Sequence, residues 1–223
     1  MGNCCTAKVL SDSEPLQSPP GVKETTVCLQ RKPGEPIGLD LDFMDGRSAR
    51  VLEVLDGLVR ESGVKVKEGD YITSVNGVRG VAGIRKCLRN DAELRIVLAH
   101  VQEFTIKVTK GSGLGIDFTY APQGDSLLVQ KVLNVGSIYK WNTDKAGLEV
   151  KSKDRIVAVN GCRGKWSKLL EEVQGAKETE ELSLTISPAP PEPTNAPAEA
   201  TVSKDPFEPG EDLQVDELNV KAS

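Results

Sequence analysis

The stretch Ser62–Gly80, SGVKVKEGDYITSVNGVRG, aligns without a gap to Ala146–Gly164, AGLEVKSKDRIVAVNGCRG. An internal repeat constrains a chain more than its composition does, because both copies must fold as the same kind of unit. The Asn76-Gly77 and Asn160-Gly161 pairs mark tight type I′ hairpins, whose two central residues need positive φ. A chain of 223 residues has room for two such units of roughly 80 to 90 residues, each large enough to fold alone.

Each Asn-Gly turn is preceded by a glycine-bearing loop that runs into an alternating strand, PIGLDLDF at Pro36–Phe43 and GLGIDFTY at Gly113–Tyr120. Period-two counting puts Leu39, Leu41 and Phe43 on one face of the first strand, and Ile116, Phe118 and Tyr120 on the matching face of the second. After each turn comes a short amphipathic segment, Val81–Leu88 or Trp166–Val173, and a closing strand, Glu93–Leu98 or Glu181–Ile186. The expected fold is mainly β with short helices, the domains running over residues 24–100 and 101–187. The stretch Ala99–Glu103 between them is too short for a free linker.

The order of loop, strands, Asn-Gly hairpin, helix and closing strand resembles a PDZ domain, twice over. The resemblance rests on the x-Φ-G-Φ loop in both copies and on GDYITSVNG, altered in the second to KDRIVAVNG. It implies two tandem, partly open β-barrels or sandwiches that capture the C-terminal tails of other proteins by strand addition. The carboxylate would sit in a nest of backbone N–H groups, from Ile37, Gly38 and Leu39 in the first copy and Leu114, Gly115 and Ile116 in the second. On the same analogy the loop glycine lets the peptide backbone approach, so that a bulky residue at Gly38 or Gly115 would obstruct the peptide more than the core. The peptide's side chains would enter a groove lined by Leu41, Val81 and Leu88, or by Phe118, Trp166, Leu170 and Val173. The same residues also suit a plain core. Lys32 and Lys110 stand just upstream, where they would add charge for the carboxylate or lie solvated at the surface.

In the PDZ family a histidine at the helix's first groove-facing position accepts a Ser or Thr hydroxyl two residues before the ligand terminus. The one histidine here, His100, lies past the closing strand as read from sequence. Counting back from Leu88 and Val173 puts Val81 and Trp166 at that position, with Lys165 as the alternative in the second copy. Apolar groups there imply an apolar ligand residue two before the terminus.

The chain opens Met1-Gly2-Asn3-Cys4-Cys5-Thr6, which satisfies the myristoylation pattern at Gly2. One acyl chain binds a membrane only marginally, and Cys4 and Cys5 offer palmitoylation sites for a second. Residues 1–23 therefore read as an acylated, flexible tether to the cytoplasmic face of a membrane. Residues 188–223 hold seven of the thirteen prolines and eight acidic residues against two lysines, so most of the net charge of −5 belongs to this tail, which is expected to be disordered. Within it Asp205-Pro206-Phe207 resembles the motif read by endocytic adaptors.

Cys4, Cys5, Cys28, Cys87 and Cys162 have no metal-ligand spacing and suggest free thiols in a reducing compartment. No Walker loop, zincin motif or dinucleotide fingerprint is present, and His100 has no nucleophile beside it in sequence. No cofactor, metal or nucleic-acid partner is expected, and the pattern points to a binding module rather than an enzyme. A membrane-anchored scaffold for C-terminal tails is the reading that follows. The alternative is a membrane-tethering or self-associating structural protein, similar in layout to Golgi stacking proteins.

Overall fold

The computed structural model describes residues 21–192. Gly2, Cys4, Cys5 and Asp205-Pro206-Phe207 lie outside the described residues. The first repeat runs β1 (Val22–Gln30), β2 (Leu39–Asp42), β3 (Ala49–Val54), α1 (Leu58–Glu61), β4 (Tyr71–Val75), α2 (Val81–Asn90) and β5 (Glu93–Val101). The second runs β6 (Phe104–Thr109), β7 (Ile116–Thr119), β8 (Leu127–Val132), α3 (Ser137–Asp144), β9 (Arg155–Val159), α4 (Trp166–Gly175) and β10 (Glu181–Ser187). Each repeat is one five-stranded antiparallel sheet, ordered β1-β5-β4-β3-β2 and β6-β10-β9-β8-β7. The fold is mainly β with short helices, in two copies of one arrangement within one compact unit that ends at Pro191.

Alternation builds each core. In β5, Leu94, Ile96 and Leu98 turn inward, and in β10 Leu182, Leu184 and Ile186 do the same. Fully burying one such side chain contributes roughly 1.5–3 kcal/mol. The groove helices add a second pattern: Ile84, Cys87 and Leu88 fall at helical spacing on the buried side of α2, while Leu169 is the fully buried residue of α4.

The repeated turns adopt the predicted geometry, with φ of 53° and 75° at Asn76 and Gly77, and of 51° and 78° at Asn160 and Gly161. The asparagine side chains add something the motif did not show. Arg95 N donates to Asn76 Oδ1 at 2.7 Å and Ser183 N donates to Asn160 Oδ1 at 3.0 Å, tying each turn to its closing strand.

Three boundaries differ from the sequence reading. The first closing strand continues through His100, because Lys23 pairs with it across β1–β5, so only Gln102 and Glu103 separate the sheets. The first strand begins at Val22. At the other end Ala189 N donates to Asp154 Oδ1 at 2.9 Å and Pro190 is buried, so ordered chain extends past 188.

Candidate functional site

β2 and β7 are edge strands, each paired on one side only, with β3 and β8 respectively. An edge strand offers unpaired N–H and C=O groups to an incoming strand. In both repeats the register with the inner neighbour skips one residue, after Asp40 and after Asp117, while β2 and β7 themselves stay regular. Leu39 and Leu41, like Ile116 and Phe118, therefore face the helix side together, half-buried against their cores.

The loops feeding these strands turn their carbonyls the same way. Pro36 O accepts from Leu58 N at 3.0 Å, Ile37 O from Val59 N at 3.1 Å and Gly38 O from Leu55 N at 2.9 Å. The second loop repeats this, with Gly113 O accepting from Ser137 N at 3.3 Å, Leu114 O from Ile138 N at 3.0 Å and Gly115 O from Leu133 N at 2.8 Å. Every peptide bond among the described residues is trans, so C=O and N–H point in opposite directions across each plane. The amides of Ile37, Gly38 and Leu39, and of Leu114, Gly115 and Ile116, consequently point away from α1 and α3. Among the described residues the amides of Ile37, Gly38, Leu114 and Gly115 donate to no protein acceptor. Successive convergent N–H groups of this kind form an anion nest.

The loop glycines serve this geometry from within the chain. Gly38 and Gly115 have φ of 76° and 75°, the left-handed region. A Cβ on Gly115 would run into the carbonyl oxygen of Val135, and one on Gly38 would lie 3.0 Å from Leu55 O and 3.1 Å from Asp56 O. The space is filled by the protein's own backbone. The expectation that a bulky residue would obstruct the peptide more than the core is therefore corrected: it would first displace the loop.

The opposite wall is helical. α2 starts at Val81 and α4 at Trp166, with Lys165 at the N-cap position of α4. Val81, Arg85 and Leu88 share one side of α2, and Trp166, Leu170 and Val173 share the same side of α4. Leu88 is buried with the core, whereas Val81, Trp166, Leu170 and Val173 are half-buried. The two grooves end differently. The Arg85 guanidinium carbon sits 4.1 Å from the centre of the Phe43 ring, a cation–π contact crossing from α2 to the end of β2. In the second repeat Tyr120 and Trp166 stack with centroids 3.6 Å apart and planes 11° from parallel, and Trp166 Nε1 donates to Pro122 O at 3.2 Å. Sequence reasoning passed over Arg85, which the four-residue spacing from Val81 would have revealed.

The upstream Lys110 is engaged away from its nest. Lys110 Nζ donates to Gln174 O at 3.1 Å and Ala176 O at 2.6 Å, capping the carbonyl end of α4. Arg31 does the same for α2 through Leu88 O, Arg89 O and Asp91 O. Lys32 is exposed, and its backbone amide donates to Glu35 Oε2 at 2.8 Å. His100, in β5, places Nδ1 2.8 Å from Asp70 Oδ1, away from both grooves.

No family model matches the chain, and no curated protein matches it. Among solved structures it is similar to INAD PDZ45 in complex with NG2 peptide, at 17% identity and a TM-score of 0.34, over 83% of this chain and 98% of that one. It is also similar to INAD PDZ45 in its complex with NORPA CC-PBM, at 15% identity and a TM-score of 0.33, over 81% and 97% of the two chains.

Proposed function

We propose that this chain is a membrane-anchored scaffold whose two grooves capture C-terminal tails of other proteins by strand addition. The observation that carries the reading is the inward turn of three successive loop carbonyls beside an edge strand, present twice. In it the amides of Ile37, Gly38 and Leu39, or Leu114, Gly115 and Ile116, hold the terminal carboxylate while the peptide pairs with β2 or β7. The last side chain enters between strand and helix, against Leu41 and Leu88 or Phe118, Leu170 and Val173. Val81 and Trp166 favour an apolar residue two before the terminus, since Val81 has no polar side-chain atom and the Trp166 indole N–H is already donated to Pro122 O. The reading places the scaffold on the cytoplasmic face of a membrane through myristate on Gly2 and palmitate on Cys4 and Cys5, supported by the sequence pattern.

The test is a titration of the full chain with a six-residue peptide carrying a free carboxylate, valine at its end and valine two before. The same peptide, amidated, serves as control. Amide shifts of Gly38 and Gly115 report each loop separately. Capture of a carboxylate predicts at least a tenfold loss on amidation, about 1.4 kcal/mol. Equal binding of the two peptides would overturn it.

A further inference from the structure

Across the first sheet, Asp42, Arg50, Tyr71 and Ala99 are paired in turn, one from each of four strands. Across the second, the matching row is Thr119, Leu128, Arg155 and Ser187. Their neighbours along the strands, Ala49, Ile72 and Leu98 or Leu127, Ile156 and Ile186, belong to the two cores, so both rows stand on the faces turned away from them. Such a face of an antiparallel sheet commonly meets water. Here Arg50, Tyr71, Ala99, Leu128, Arg155 and Ser187 are all buried.

Each repeat covers the other. Arg155 Nη1 donates to Asp42 Oδ2 at 2.6 Å and to Ser126 Oγ at 3.2 Å, and the side chains of Arg155 and Asp42 are only 1% and 2% exposed. In the other direction Arg50 forks onto Asp125, at 2.6 Å to Oδ1 and 3.2 Å to Oδ2. Tyr71 lies in the same layer. Burial raises its phenol above the ordinary value, opposed by the charges of Arg155 and Arg50. Glu103, in the two-residue connection, pairs with Arg163 beside the second Asn-Gly turn.

Asp42 is the last residue of β2. Its Oδ1 accepts from Met44 N at 2.7 Å, shaping the exit of the strand, and its Oδ2 is held by the other repeat. The strand proposed to pair with the peptide is thus fixed by the loop at one end and by Arg155 at the other. The equivalent end of β7 carries Thr119, which has no charge to be held this way.

We propose that Arg155 is a positioning residue for the first groove, so that this groove is complete only while the second repeat is docked and the dependence runs in one direction. The proposal rests on the peptide-capture reading. Removing one partner of a buried ion pair leaves the other charge buried and unpaired, whereas replacing both with apolar groups is tolerated. That asymmetry supplies the test.

The full chain, Arg155→Met and the double variant Asp42→Leu/Arg155→Met are titrated with the same free-carboxylate peptide, reading the amides of Gly38 and Gly115 in each sample. In Arg155→Met the first groove should weaken about fivefold or more, the scale of ordinary coupling between sites. The second should change less than about twofold. The double variant should regain most of the first groove's affinity. Should Arg155→Met fail to fold, Arg155→Lys replaces it, since lysine keeps the charge but loses the planar fork, and a selective loss at Gly38 is again expected. A folded Arg155→Met or Arg155→Lys variant with first-groove affinity within twofold of the parent overturns the proposal, as does equal weakening of both grooves. A parent chain in which the free peptide moves neither loop overturns the capture reading itself, and this proposal with it.

Discussion

At Arg85 and Phe43 the first groove is crossed by a cation lying over a ring, whereas at Tyr120 and Trp166 the second is crossed by two stacked rings. At the other end of the grooves the repeats are nearly superimposable in chemistry: three carbonyls turned inward, a glycine near φ 75°, and an edge strand. The outward rows diverge as the groove ends do, with Tyr71 standing where the second repeat has Arg155. The comparison separates two kinds of position. Those that set backbone direction are kept in both copies. Those at the groove ends or facing the other repeat are free to differ, and differ in charge.

The largest effect should come from the position that looks most alike. Gly38 and Gly115 share their φ, but the surroundings differ, for only at Gly115 does a Cβ collide with a backbone carbonyl, that of Val135. Gly38→Ala should lower stability by about 1–2 kcal/mol, the strain of an L-residue in the left-handed region. Gly115→Ala adds an overpacking term and should lower it by about 3 kcal/mol or more. Urea unfolding of the two variants measures the difference, and equal losses would show that the Val135 segment moves aside without penalty.

A second difference concerns what each groove prefers. In the capture reading, antiparallel addition to β2 would bring the ligand residue four before the terminus near Phe43, over whose ring the Arg85 guanidinium lies. An acidic residue there should favour the first groove over an alanine peptide by about two- to fivefold at low salt, as suits a part-solvated charge pair of under about 1 kcal/mol. The second groove, with Leu170 at the matching position, should show no such gain. Arg85→Leu should abolish the preference and Leu170→Arg should transfer it. A gain that survives Arg85→Leu would place its source elsewhere on α2, which also carries Lys86 and Arg89.

These contrasts also mark how far the sequence could be read. The Asn-Gly turns, the loop glycines and the groove helices were legible because each depends on local backbone preference or short-range period. α1 was not, since four residues give no periodicity, and α3 is held by side-chain bonds to the loop that follows it, Trp141 Nε1 to Leu148 O and Asn142 to Val150, which no periodic pattern reveals. Arg155 reads from alternation as an exposed charge, and only the packing of one sheet on the other buries it. Lys110 reads as a free cation because the carbonyls it caps lie more than sixty residues away in sequence.

The smallest expected effect tests whether backbone-setting positions really are equivalent. Gly69 and Lys153 match in the aligned repeat, where GD becomes KD. Both have positive φ, 86° and 77°, and both amides bond back to the preceding strand, Gly69 N to Val51 O at 2.9 Å and Lys153 N to Val129 O at 2.8 Å. The turn therefore imposes the left-handed conformation on either residue, although a side chain there is strained by roughly 1–2 kcal/mol. Glycine relieves that strain but loses more backbone entropy on folding, by roughly 0.5–1 kcal/mol. Lys153→Gly should accordingly raise stability by about 0.5 kcal/mol. Gly69→Lys should lower it by a similar amount. The measurement is a shift in urea midpoint at unchanged slope, which reports a change in stability without a change in the compactness of the unfolded chain. A loss of stability in Lys153→Gly would show that the lysine side chain contributes more than its conformation costs, and the second repeat would then have a structural solution of its own at a position where the first relies on glycine.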